Sequence, residues 1–213
     1  MTDVFLASRS PRRRELLKQI GVKFEPLMLR ATQPRGADID ETRQLGESPA
    51  AYVERIAREK AQAAVRAVSM RALFGKPVLA ADTVVVLDDE TLDKPGNPAR
   101  AAEFLRRLSG RTHEVRTCVA VAMAAGNPLL SAGNPLRLLT QTSVSLVTFG
   151  TLTEEQITQY CASGEAFDKA GGYAIQGQAA VFVQRLEGSY SGVMGLPLYE
   201  TAQLLRQAGV PVL

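Results

Sequence analysis

The segment LASRSPRRRELL, residues 6–17, sets Ser8 and Ser10 before Arg12, Arg13 and Arg14. Ser10 reads as a helix N-cap and Pro11 as the first helical residue, so the arginines fall in the first turn. Cations there oppose the helix dipole, at a cost of roughly 0.3–1 kcal/mol each. Free backbone N–H groups beside guanidinium forks make a phosphate site that relieves that cost. Solvation is the other reading, Arg14 being the arginine it suits best.

Two further charges sit where charge is expensive. Lys60 shares a helical face with Val53, Ile56, Ala57 and Ala64, so it either snorkels or meets an anion. Asp82 interrupts the apolar run VLAADTVVVL. A carboxylate in a buried strand must be paired, hydrogen-bonded or metal-bound. Thr83 follows and points to the opposite face unless the strand ends there. The turns Asp93-Lys94-Pro95 and Asp168-Lys169-Ala170-Gly171-Gly172, with Gln176-Gly177, are weaker signals. The glycines permit close backbone approach to a ligand. The Gln176 amide, both donor and acceptor, suits a base edge.

These residues are carried by alternating elements. Short strands are expected at residues 4–7 and within 22–29, with a helix at 11–20 between them. Ser48-Pro49 starts a long helix to residue 68. A strand follows at 77–87, then a turn at Asp88-Asp89, a helix from Asn97-Pro98 to Ser109-Gly110, and strands at 112–124 and 137–149. The stretch between those two strands, residues 125–136, holds two Gly-Asn-Pro triplets and reads as a long protruding loop or hairpin. Thr153 and Gln156 form a capping box for the next helix. Strands are expected at 173–175 and 179–184, and a last helix at 197–208. Interleaved helices and apolar strands indicate an α/β fold, a mixed central sheet covered by helices. Residues 1–213 read as one unit with two lobes around a cleft.

Composition narrows the chemistry. With 46% hydrophobic and 22% charged residues, the 213-residue chain is an ordinary globular one. Its net charge of +3 does not demand nucleic acid. No apolar run reaches the ~18 residues of a membrane span, and the N-terminus lacks a secretory signal pattern. The expected compartment is the cytoplasm. Cys118 and Cys161 lack metal spacing, and His113 is the single histidine and reads as structural. Walker A, GxGxxG and nucleophile-elbow patterns are absent. Phosphate chemistry with a divalent metal and water remains.

The segments LASRSPRRRELL, Asp40-Glu41-Thr42, Ala57-Arg58-Glu59-Lys60-Ala61, Ala81-Asp82-Thr83-Val84, Asp93-Lys94-Pro95, LSGRTH, DKAGGYAIQG and GSYSGVMGLPL, in that order, closely resemble the Maf family. The resemblance implies hydrolysis of a nucleoside triphosphate between its α and β phosphates, and a fold like that of the inosine triphosphatases (Maf/Ham1). It implies phosphate contacts for Ser8, Arg12, Arg13, Lys60 and Lys94. It makes Glu41 and Asp82 the acidic positions, Asp82 the proton acceptor, and Arg12, Thr83 and Gln176 the determinants of nucleotide preference. A divalent cation, Mg²⁺ with Mn²⁺ or Co²⁺ as substitutes, is expected on Asp82 or Glu41. The partner is a nucleotide rather than nucleic acid or membrane, and a homodimer is compatible with it. The segment DKAGGYAIQG resembles the subgroup acting on dTTP and UTP. A 7-methyl-GTP pyrophosphatase and a non-enzymatic, nucleotide-binding septation regulator are the alternatives. Arg9, Gly192 and the 125–136 loop depart from the family pattern.

Overall fold

The computed structural model describes residues 3–29, 39–73, 75–123 and 136–213. The 125–136 loop, Leu136 apart, lies outside them. A mixed seven-stranded sheet has the order β2 (Phe24–Pro26), β1 (Val4–Leu6), β3 (Val78–Leu87), β5 (Thr112–Met123), β6 (Arg137–Phe149), β7 (Val183–Glu187). The short β4 (Glu90–Leu92) also pairs with β3. Strands β1, β2 and β3 are parallel; β3, β5, β6 and β7 are antiparallel to their neighbours in turn.

Strand alternation explains the layers. One face of β1, β3 and β5, with Phe5, Val78, Ala80, Val84 and Ala120, packs on helix α2 (Pro49–Met70). Their other face, with Leu6, Leu79, Ala81 and Val119, packs on α1 (Pro11–Gln19) and α6 (Leu198–Gln207). Farther along β3 and β5, Val85, Leu87 and Val115 join a third cluster, with α3 (Pro98–Leu108) and α4 (Glu154–Ala162). The long strands β3 and β5 thus contribute to all three clusters.

Local signals account for the element starts. Ser48 and Asn97 accept N-cap hydrogen bonds from Ala51 and Arg100. Both halves of the Thr153–Gln156 capping box form. Asp88 and Asp89 turn β3 into β4 with φ of 52° and 59°.

Of the strands expected at residues 173–175 and 179–184, only the end of the second forms, as the start of β7. Residues 173–175 form no strand, and Gln178–Phe182 is a 3₁₀ turn that leads into β7. Gly171 and Gly172, both with positive φ, fold the chain back. Tyr173 and Ile175 are then buried in the α3–α4 core by side-chain packing rather than strand pairing. A short apolar run reads alike in both situations. The segment Tyr190–Met194 forms a further helix, α5.

Candidate active site

The main cleft is a notch in the sheet. Strand β1 accompanies β3 only through the pair Leu6–Leu79. Strand β4 rejoins β3 at the pair Val85–Leu92. Between these points Ala80–Val84 has β5 on one side and, among the described residues, no strand on the other. Strand β3 therefore continues past Thr83, yet both Asp82 and Thr83 line the cleft. The cavity holds about 670 Å³, within the range of small-molecule sites. Ser8, Arg12, Arg13, Glu41, Lys60, Asp82, Thr83, Lys94 and Gln176 all line it. Arg14 does not.

On the α2 side, Lys60 Nζ lies 2.7 Å from Asp82 Oδ1 and 2.8 Å from Glu41 Oε1. Of the two sequence readings, pairing with an anion is the one observed. Among the described residues no donor reaches Asp82 Oδ2. Burial works to raise the Glu41 carboxyl, but Lys60, Lys94 and Arg13 outweigh it and hold the group below its ordinary range.

Glu41 belongs to an irregular segment fastened to α2 by residues that sequence reading missed. The Tyr52 hydroxyl donates to the Glu41 carbonyl at 2.9 Å. Arg55 grips both Glu47 carboxylate oxygens at 2.7 and 2.9 Å and donates to the Thr42 carbonyl at 3.0 Å. These bonds hold the Glu47 carboxyl down at about 2. A tyrosine and an arginine near a helix start carry no pattern that announces this role.

On the α1 side, Ser10 occupies the N-cap position but its side chain caps nothing. Its own N–H instead donates to Ser8 Oγ at 3.2 Å. Because Ser10 caps nothing, the first-turn amides that follow Pro11 have no side-chain cap. Arg13, half-buried, turns inward: Nε donates to the Gly195 carbonyl at 2.7 Å, Nη1 to Ser8 Oγ at 3.4 Å and Nη2 to Thr83 Oγ1 at 3.2 Å. Desolvation lowers both Arg12 and Arg13 from their ordinary values, against the pull of nearby carboxylates. An arginine stays protonated through such a shift, so both remain cations lining the cleft.

The sheet sorts the cleft into two chemistries. Asp82, with Lys60 and Glu41, faces the charged α2 side. Thr83 shares its face with Val85, whose β5 partner is Val115. Val85, Val115, Val193 and Met194 all line this part of the cleft, with Tyr173, Ala174 and Gln176. Asp168 and Lys169, which pair with each other, also line the cavity; sequence reading noted them only as part of a turn. His113 lies elsewhere, buried, with Nε2 2.8 Å from the Tyr173 hydroxyl. Among the described residues no group of three or more His, Cys, Asp or Glu side chains could hold a metal ion.

Comparison with known proteins follows the same outline. The family model for Maf-like protein matches residues 3–208. A dTTP/UTP pyrophosphatase of Nitrosospira multiformis is 53% identical over 98% of this chain and 96% of its own. Proteins of the same description from Aromatoleum aromaticum and Ralstonia nicotianae are each 49% identical, over 98% and 97% of this chain and 97% and 94% of theirs. The Staphylococcus aureus Ham1 protein is similar over 98% of both chains, with a TM-score of 0.47 and 13% identity, too distant to carry an argument.

Proposed function

The chain belongs to the Maf-like family, and from that premise we propose that it is a pyrophosphatase that hydrolyses dTTP and UTP to the monophosphate and pyrophosphate. The observation that carries this reading is Lys60 drawing Asp82 and Glu41 together beside the arginine-bearing start of α1. The relatives named for dTTP and UTP match across nearly their whole length.

A triphosphate carries about four negative charges, and its hydrolysis depends mostly on positioning and charge neutralisation. Arg12, Arg13, Lys60 and Lys94 hold the phosphates, and Ser8 adds its hydroxyl. Asp82 orients a water through Oδ2, the oxygen not engaged by Lys60, and accepts its proton as the oxygen attacks the α-phosphorus. Lys60 keeps Asp82 aligned through Oδ1.

Two carboxylates that already converge on one cation suit Mg²⁺, a hard ion that takes few protein carboxylates and fills its shell with phosphate and water oxygens. Asp82 and Glu41 are the residues to hold it. Bound there, such an ion would supply charge neutralisation for the leaving pyrophosphate. Mn²⁺ and Co²⁺ would be the substitutes. On the other side of β3, the apolar wall of Val85, Val115 and Met194 receives the base, with Thr83 and Gln176 reading its polar edge.

Pyrophosphate release from a nucleotide panel with Mg²⁺ tests the reading. The expected result is release from dTTP and UTP above all other nucleotides. Preference for 7-methyl-GTP reassigns the substrate. Nucleotide binding without release from any of them makes the protein a binder.

A further inference from the structure

Thr117 stands opposite Thr83 in the β3–β5 ladder, on the side of the cleft that the proposed function gives to the base. It is almost fully buried, with 1% exposure. Its hydroxyl donates to the Gly192 carbonyl at 2.7 Å and lies 3.0 Å from Thr83 Oγ1. From the other direction Arg13 Nη2 donates to the same Thr83 oxygen at 3.2 Å. Arg13 is itself fixed by the Gly195 carbonyl at 2.7 Å. The Thr83 hydroxyl thus sits between two partners, one anchored on the Gly192 carbonyl within α5 and the other on the Gly195 carbonyl at its C-cap.

We propose that Thr117 is a positioning residue for base selection, which locks the polarity of the Thr83 hydroxyl toward the ligand. The inference rests on the reading of the cleft as a pyrimidine nucleotide site. A hydroxyl free to rotate serves as donor or acceptor as the ligand requires. One held by two neighbours presents a single polarity. Uracil and cytosine are nearly the same shape and differ in that respect: uracil offers an N–H beside a carbonyl, cytosine a ring nitrogen acceptor beside an amine. A locked hydroxyl distinguishes them, and a released one does not. Discrimination of this kind arises because the wrong ligand leaves a buried polar group unpaired.

The test is Thr117→Val, close to isosteric and without a hydroxyl, with Thr117→Ser as the conservative control. Thr117→Ala stands in should the valine variant fail to fold. Two readouts are compared: kcat/KM on UTP against CTP, and equilibrium affinity for UMP against CMP, which needs no turnover. In the wild type UTP and UMP are preferred. In Thr117→Val the preference should fall about tenfold, chiefly by a gain on the cytosine nucleotide, and Thr117→Ser should restore it. A parallel loss on both bases, or an unchanged preference, overturns the role of Thr117. If the wild type releases no pyrophosphate yet its UMP preference collapses in Thr117→Val, the hydrolytic reading fails while the role of Thr117 stands. If the wild type shows no preference by either readout, the inference itself is wrong.

Discussion

Lys60 Nζ and Asp82 Oδ1 meet at 2.7 Å, joining the middle of α2 to the middle of β3. Each residue alone is a charge on an apolar surface. Together, with Glu41 at 2.8 Å from the same ammonium, they make a part-buried charged cluster that opens to the cleft. Breaking such a cluster by removing one member leaves the others uncompensated.

Lys60→Met should therefore raise the titration midpoint of Glu41. Burial already favours the neutral carboxyl, and Lys60 leads the cations that oppose it. A depressed carboxylate stabilises the fold above its unfolded pKa, and that contribution is lost as pH falls through the folded value. The wild-type advantage over Lys60→Met should shrink accordingly as the solution is acidified below about pH 4.5. Carboxyl-resolved NMR titration reads the Glu41 midpoint, and an unmoved midpoint contradicts the pairing.

Asp82→Asn should keep the fold and lose most turnover. The amide is isosteric and Lys60 retains Glu41, but no proton acceptor remains for the water. Loss of a general base costs about 10²–10⁴-fold. Steady-state kinetics on a variant with wild-type unfolding behaviour decides this, and near-normal kcat moves the base role to Glu41.

His113 gives the fold a pH dependence of its own. Burial lowers its pKa from 6.5 to about 4, so between those values the unfolded chain binds the proton and the folded chain does not. Stability should fall as pH drops through that window. From pH 7 to 5 the loss is about 2 kcal/mol. It is the only histidine, so urea unfolding of wild type and His113→Phe at pH 7 and 5 isolates the effect. Equal pH sensitivity in both proteins contradicts it.

Gly171→Ala should destabilise the cleft wall. Gly171 has φ of 70°, and an added Cβ would come within 2.8 Å of Val85 Cγ2. Overpacking and left-handed strain together predict a loss of about 1–3 kcal/mol in denaturant unfolding. An unchanged midpoint would mean that Val85 yields freely.

What the sequence disclosed follows from how unusual each residue is in its setting. A lysine on an apolar helix face and an aspartate in an apolar strand stand out because burying a charge is costly, and both proved to be paired in the cleft. The helix starts were legible from Ser48-Pro49, Asn97-Pro98 and the Thr153 box, since capping is local chemistry. Thr117, Tyr52 and Arg55 were not legible. A threonine in a strand and an arginine on a helix are ordinary, and their roles arise from partners that are distant in sequence. The apolar residues around Tyr173 misled for the same reason: their burial is tertiary, imposed by Gly171 and Gly172 upstream.

The central claim is that water attacks the α-phosphorus of a pyrimidine triphosphate in this cleft. Hydrolysis of dTTP with Mg²⁺ in ¹⁸O-labelled water, followed by ³¹P NMR and mass analysis of the products, tests it most directly. The account predicts equal amounts of dTMP and pyrophosphate, with the label in dTMP. Label in the pyrophosphate, or formation of dTDP and orthophosphate, would contradict it.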